Sequence, residues 1–396
     1  MKKYLNISKI GLLPRVLIAI LIGVALGLFV PEWVVRIMAT FNDLFGNFLS
    51  FLIPLIILGL VAPAIADIGK GAGWLLLVTA LIAYFDTVFS GLFSYATSQA
   101  VFPFLIDAGS AAQLTETTQP QPYFTIAIPP LMDVLSALVL AFTLGLGIAN
   151  FGSTALKRGM GEFRQIISKT IEVALIPILP IYIMGIFMIM AATGQAWHII
   201  KVFISVIGVI FAMHVLLLIL QFCFAGAIAR RNPYHLLKNM LPAYFTALGT
   251  SSSAVTIPVT LRQTQLNGVS DTIAGFTIPL CATIHLSGSA MKITACAVAL
   301  ILMQGNTVDP LLMVGFVMML GVMMVAAPGV PGGAIMAALG VLQSILGFNA
   351  EQQALMIALY IAMDSFGTAC NVTGDGAIAI IVDKIAQYNK PQTTPA

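Results

Sequence analysis

Long apolar runs dominate the chain, at 13–31, 45–66, 74–104, 124–151, 164–193 and 199–229. A helix needs about 20 apolar residues to cross a bilayer core, and each of these runs is of that order. Beyond residue 230 the pattern turns irregular. Segment 232–262 is amphiphilic and too polar at its centre for a simple span, and 271–304 is a span with polar interruptions. Segment 310–346 is two apolar halves separated by APGVPGG, and a final span covers 351–385. The pattern predicts an all-α integral membrane protein with eight transmembrane helices and two re-entrant helical hairpins. The stretch 105–123, rich in Thr, Gln and Ala, reads as a mobile external loop.

The last run carries the polar residues that most need an explanation. Within 361–384, which reads as one membrane-spanning helix, lie Asp364, Thr368, Asn371 and Asp375. At 3.6 residues per turn these fall on a narrow stripe of one face. Carboxylates at bilayer depth are costly and face a bundle interior or watery cavity. Carboxylate, amide and hydroxyl oxygens in one stripe suit cations and an ammonium group.

The distribution of Lys and Arg gives orientation. Lys2, Lys3, Lys9 and Arg15 precede or open the first span; Lys157, Arg158, Arg164 and Lys169 lie between spans four and five; Arg230, Arg231 and Lys238 follow span six. Lys384 and Lys390 follow the last helix, whereas 105–123 and 305–309 carry neither residue type. With both termini cytoplasmic, the count closes only if 232–262 enters and returns from the cytoplasm and 310–346 from outside. Irregular backbone at membrane depth survives only where protein or a water-filled cavity covers it. Transporters use such breaks to aim helix N-termini at anions and free carbonyls at cations. The breaks are Thr250-Ser251-Ser252-Ser253 and Ala327-Pro328-Gly329-Val330-Pro331-Gly332-Gly333.

Composition agrees with this picture. Of 396 residues 59% are apolar and 8% charged, against about 25% charged for a soluble domain. A net charge of +3 without a basic run argues against nucleic acid. The first apolar run reads as an anchor rather than a removed signal peptide, and the expected location is the inner (plasma) membrane. Cys223, Cys281, Cys296 and Cys370 lie in apolar segments with no CxxC spacing, which points to core residues.

The stretches SSSAVTIPVT (251–260), GVPGGAIM (329–336) and NVTGD (371–375) resemble the glutamate/neutral amino acid transporter family, the dicarboxylate and amino acid:cation symporters. The resemblance implies a homotrimer with inverted repeats. Spans one and two (1–73) and four and five (124–198) would form a scaffold. Span three (74–104) and residues 199–396 would form a transport domain moving like an elevator. It implies that Asp364 binds the substrate ammonium, while Ser252, Ser253, Thr368 and Asn371 hold the carboxylate end. Ser289, Val330, Gly332 and the position of Gly367 complete the substrate set. Thr283, His285, Asn371 and Asp375 stand at positions expected to hold sodium.

The departures from the family pattern narrow the substrate. Members that carry acidic substrates have an arginine at the position of Gly367, and some prokaryotic members have another at Thr250. Without these, a strong charge-assisted contact to a side-chain carboxylate is lost. A small neutral amino acid such as serine, threonine or alanine becomes the expected substrate, with an acidic amino acid or C4 dicarboxylate as the alternative. In span seven the family's Asn-Met-Asp-Gly-Thr is replaced by His285-Leu286-Ser287-Gly288-Ser289. Lys292 follows on the same helix face as His285 and Ser289, and Asp86 lies in span three. A buried lysine needs a partner, so Lys292 paired with Asp86 is expected to stand in for one bound cation. Alternatively, His285 couples transport to protons. Two other functions compete. Ser289 and Lys292 have the spacing of Ser–Lys hydrolases, and a channel would show flux without saturation or exchange.

Overall fold

A computed structural model describes residues 12–68, 74–106, 120–194, 196–327 and 331–388. The described residues form fifteen α-helices and no strand. They are α1 (Leu12–Phe29), α2 (Glu32–Ile68), α3 (Trp74–Val101), α4 (Val134–Phe151), α5 (Thr154–Thr170), α6 (Ile176–Ala192), α7 (Ala196–Ala229) and α8 (Pro233–Thr250). The rest are α9 (Ser253–Leu266), α10 (Asp271–Ile284), α11 (Ser287–Met303), α12 (Pro310–Ala326), α13 (Gly333–Ser344), α14 (Ala350–Ala362) and α15 (Asp364–Tyr388). Among the described residues, seven helical stretches are long and apolar enough to cross a membrane. The eighth expected span, around α4, contributes a shorter apolar helix.

Several boundaries differ from the sequence reading. Span four, expected at 124–151, is helical only from Val134, because Pro129 and Pro130 lack amide donors. Asp133 then caps α4 by accepting the Ser136 N–H at 2.9 Å. Span two starts at Glu32, well before residue 45. Lys157, Arg158, Arg164 and Lys169 lie on α5 rather than in a loop. That helix runs into α6 through a π-helical turn at Ile171–Leu175, just before Pro177. Of the expected external loop 105–123, residues 107–119 lie outside the described residues. Its end is tied to α2: Arg36 Nε donates to the Gln121 carbonyl at 3.0 Å, and Thr40 Oγ1 accepts the Tyr123 N–H at 2.9 Å.

Burial sorts the helices. In α1 only 28% of the spanning window is buried, whereas in α15 the figure is 89% and across α10 and α11 it is 83%. The last helix is therefore the axis of the protein, and α7, α8, α9 and α10 pack around it. A second group packs α1 on α6 and α2 on α4, α5 and α6. Close approach in this group depends on small residues. A side chain at Gly23 of α1 would run into the backbone carbonyl of Met184 on α6, which cannot retreat. Gly23→Val should cost roughly 1–3 kcal/mol, read as a lower melting temperature in detergent. Gly208→Ala, inside α7 with open space around it, should not lower the melting temperature, since alanine favours the helix by up to about 1 kcal/mol.

Candidate functional site

Both interrupted helix pairs end at one cavity. Its lining includes Ser251, Ser252 and Ser253 from the α8–α9 break and Ala327, Pro331 and Ala334 from the α12–α13 break. Thr283 comes from the end of α10, Leu286 from the break before α11, Ser289 from α11, Tyr360 from α14, and Asp364, Thr368 and Asn371 from α15. Thus most of the expected substrate residues come together. Gly332 is next to the lining residue Pro331, with φ 74° and its N–H donating to Asp364 Oδ2 at 3.0 Å. Val330 lies outside the described residues.

The α8–α9 break is built by capping. Ser251 ends α8 in the left-handed region, φ 51°, with its N–H on the Ala247 carbonyl. Serine tolerates that conformation less readily than glycine, and its hydroxyl is fixed by a 2.6 Å hydrogen bond with Ser365. Ser252 caps α9 by accepting the Val255 N–H. Free N–H groups at the start of a helix favour an anionic ligand, and Ser252 and Ser253 sit at that start.

The two central spans are each broken, and here the sequence reading needs correction. The last span is not one helix from 361 onward: α14 stops at Ala362, Met363 leaves the helical path, and Asp364 opens α15. The stripe from Asp364 to Asp375 survives intact on α15. In span seven, His285 and Leu286 separate α10 from α11. His285 therefore does not share a continuous helix face with Ser289 and Lys292. Asn371 Oδ1 accepts the Gly288 N–H at 2.8 Å and so satisfies the exposed start of α11. Asn371 Nδ2 donates to Ser289 Oγ at 3.2 Å, and Ser289 shares a 2.9 Å hydrogen bond with the Tyr360 hydroxyl.

Lys292 does not pair with Asp86. Its ammonium donates to the Met363 carbonyl at 3.1 Å, lies 3.8 Å from the centre of the Tyr360 ring and 3.7 Å from Asp364 Oδ1. It is fully buried and does not line the cavity. Its tip fills the space that a side chain at Gly367 would need. Asp86 instead meets His285 Nε2 at 2.7 Å, while His285 Nδ1 meets Asp375 at 2.8 Å. Gln221 Nε2 donates to Asp86 at 2.6 Å and to Ser287 Oγ at 3.1 Å. The four positions expected to hold sodium thus divide: His285 and Asp375 bind each other, Asn371 serves α11, and Thr283 faces the cavity with its hydroxyl donating to the Leu280 carbonyl.

Two contributors escaped the sequence reading. Gln221 was visible as a lone amide in the apolar run 199–229 and could have been singled out. Tyr360 carried no such signal, since tyrosine is common in apolar helices. Ser289 and Lys292 form no nucleophilic pair, because each is committed to other partners.

The chain matches the sodium:dicarboxylate symporter family over residues 12–385. It is also similar to two proteins named serine/threonine transporter SstT. The one from Acinetobacter baumannii (strain ATCC 17978) is 27% identical, covering 96% of this chain and 98% of that protein. The one from Enterococcus faecalis (strain ATCC 700802 / V583) is 25% identical, covering 93% of this chain and 90% of that protein. With a match that spans nearly all of its apolar helices, the chain belongs to the sodium:dicarboxylate symporter family and is a multi-pass membrane transporter, not an enzyme.

Proposed function

We propose that this transporter carries a small neutral amino acid, such as serine, threonine or alanine, in symport with sodium. The observation that carries this reading is the charge of the cavity. Among the described residues lining it, Asp364 alone is charged, and the others offer hydroxyl, amide and apolar groups. A zwitterion can place its ammonium on Asp364 and its carboxylate at Ser252 and Ser253, with Thr368, Asn371 and Ser289 beside it. A second carboxylate would meet no cation among the lining residues, because Lys292 is fully buried, committed to Asp364 and the Met363 carbonyl, and does not line the cavity. The names of the two relatives point the same way.

In this reading α8–α9 and α12–α13 are the two re-entrant hairpins, with Gly332 in the tip of the outer gate. Sodium is held by Thr283, Asn371 and carbonyls freed at the helix breaks. The helices around α15 move as the transport domain against a scaffold of α1, α2, α4, α5 and α6, in a homotrimer with both termini cytoplasmic in the inner membrane. Counterflow in liposomes tests the substrate: serine, threonine and alanine should exchange saturably, and aspartate or succinate should not compete. Binding should also stabilise the purified protein, by about 2.7 kcal/mol at a hundredfold excess over Kd. Competition won by aspartate would remove the neutral-substrate reading, and non-saturating flux would replace the carrier by a channel.

A further inference from the structure

A second polar cluster lies beyond the cavity. The imidazole of His285 is wedged between two carboxylates, Asp86 at 2.7 Å and Asp375 at 2.8 Å. His285 is fully buried and Asp375 is 1% exposed. Ionised carboxylates only accept hydrogen bonds, and a neutral imidazole has a single N–H to give. Two such short contacts therefore require two bridging protons. With both carboxylates ionised, the ring is an imidazolium, and the trio carries one net negative charge.

The surroundings are those of a cation site. Gln221 is 4% exposed and donates to Asp86 and to Ser287 Oγ, yet its own Oε1 is buried without a hydrogen-bond partner. That oxygen and the imidazole both press on Gly374, where a side chain would meet His285 Cε1 at 2.9 Å and Gln221 Oε1 at 3.0 Å. Two carboxylates, an unpartnered amide oxygen and a serine hydroxyl make a hard, oxygen-rich set of the kind that binds alkali and alkaline-earth ions. The imidazole ring of His285 fills the space between the two carboxylates.

We propose that His285 is a built-in cation, occupying an alkali-ion site formed by Asp86, Asp375 and Gln221, so that transport proceeds without an ion at that position. The inference rests on the cation-coupled reading above and assigns the fixed charge to His285 rather than to Lys292. It predicts that His285→Asn opens the site. The substrate-free variant should gain a sodium-dependent rise in melting temperature beyond that of wild type, in titrations at constant ionic strength. Uptake by the variant should depend on sodium more steeply, by one further ion. Asp86→Asn/His285→Asn, which removes both charges, should lose the added response. A wild-type sodium response in His285→Asn overturns the proposal. So does a variant that stays unfolded at every sodium concentration, since the ion should restore what the imidazolium supplied, or a double variant that keeps the added response. The melting arm uses no amino acid, so failure of wild type to bind serine would remove the substrate reading and leave this result standing.

Discussion

Asp364→Asn should weaken serine binding severely and also destabilise the empty transporter. The asparagine keeps the shape of the carboxylate but can neither neutralise a substrate ammonium nor balance Lys292, 3.7 Å away and fully buried. Removing one partner of a buried ion pair costs about 3–5 kcal/mol, because the remaining charge is left in a medium that solvates it poorly. Loss of a charge-assisted contact to substrate adds a fall in affinity of at least roughly tenfold to a hundredfold. The two effects separate in the variant Asp364→Asn/Lys292→Met. It should recover much of the melting temperature, since both buried charges are gone, and still bind serine poorly. If the double variant takes up serine normally, Asp364 is only the counterion of Lys292 and the ammonium is bound elsewhere.

Gly367→Arg, the direct route to an acidic-substrate site, should fail by itself. The Lys292 ammonium and its neighbouring carbon occupy the place of the first side-chain atom at 367. A second cation would also be forced beside the first. We expect little folded protein and no uptake from the single variant. Gly367→Arg/Lys292→Ala exchanges one buried cation for another and vacates the space. Hydrogen bonds to charged groups contribute about 1.5–3 kcal/mol, so preference should move toward aspartate over serine by roughly tenfold to a hundredfold, measured by competition uptake. An unchanged preference in a well-folded double variant would show that position 367 does not face the substrate side chain.

These expectations differ from those the sequence alone suggests, and the difference has a physical basis. Desolvation makes polar residues in apolar runs conspicuous in one dimension. Hence the all-helical membrane character, both interrupted helix pairs and the stripe from Asp364 to Asp375 were legible without coordinates. Helical periodicity also fixed that stripe, because α15 keeps all four residues on one helix. Proline chemistry in principle announced the late start of α4, but the apolar run hid it. The break at Met363 had no comparable signal, since neither glycine nor proline marks it.

What only the tertiary structure decided is which charge meets which. Lys292 reaches across to the broken last span, while Asp86 on α3 is claimed by His285 at the end of α10 and by Gln221 on α7. Periodicity gives the face of each helix but not the neighbour that covers it. Partners such as Asp86 and His285 are separated by 199 positions along the chain. In a low-dielectric interior the cost of an unpaired charge guarantees that a partner exists. Its identity follows from how the helices pack, because side chains reach only a few ångströms and α3, α7, α10, α11 and α15 come within that reach only in the folded bundle.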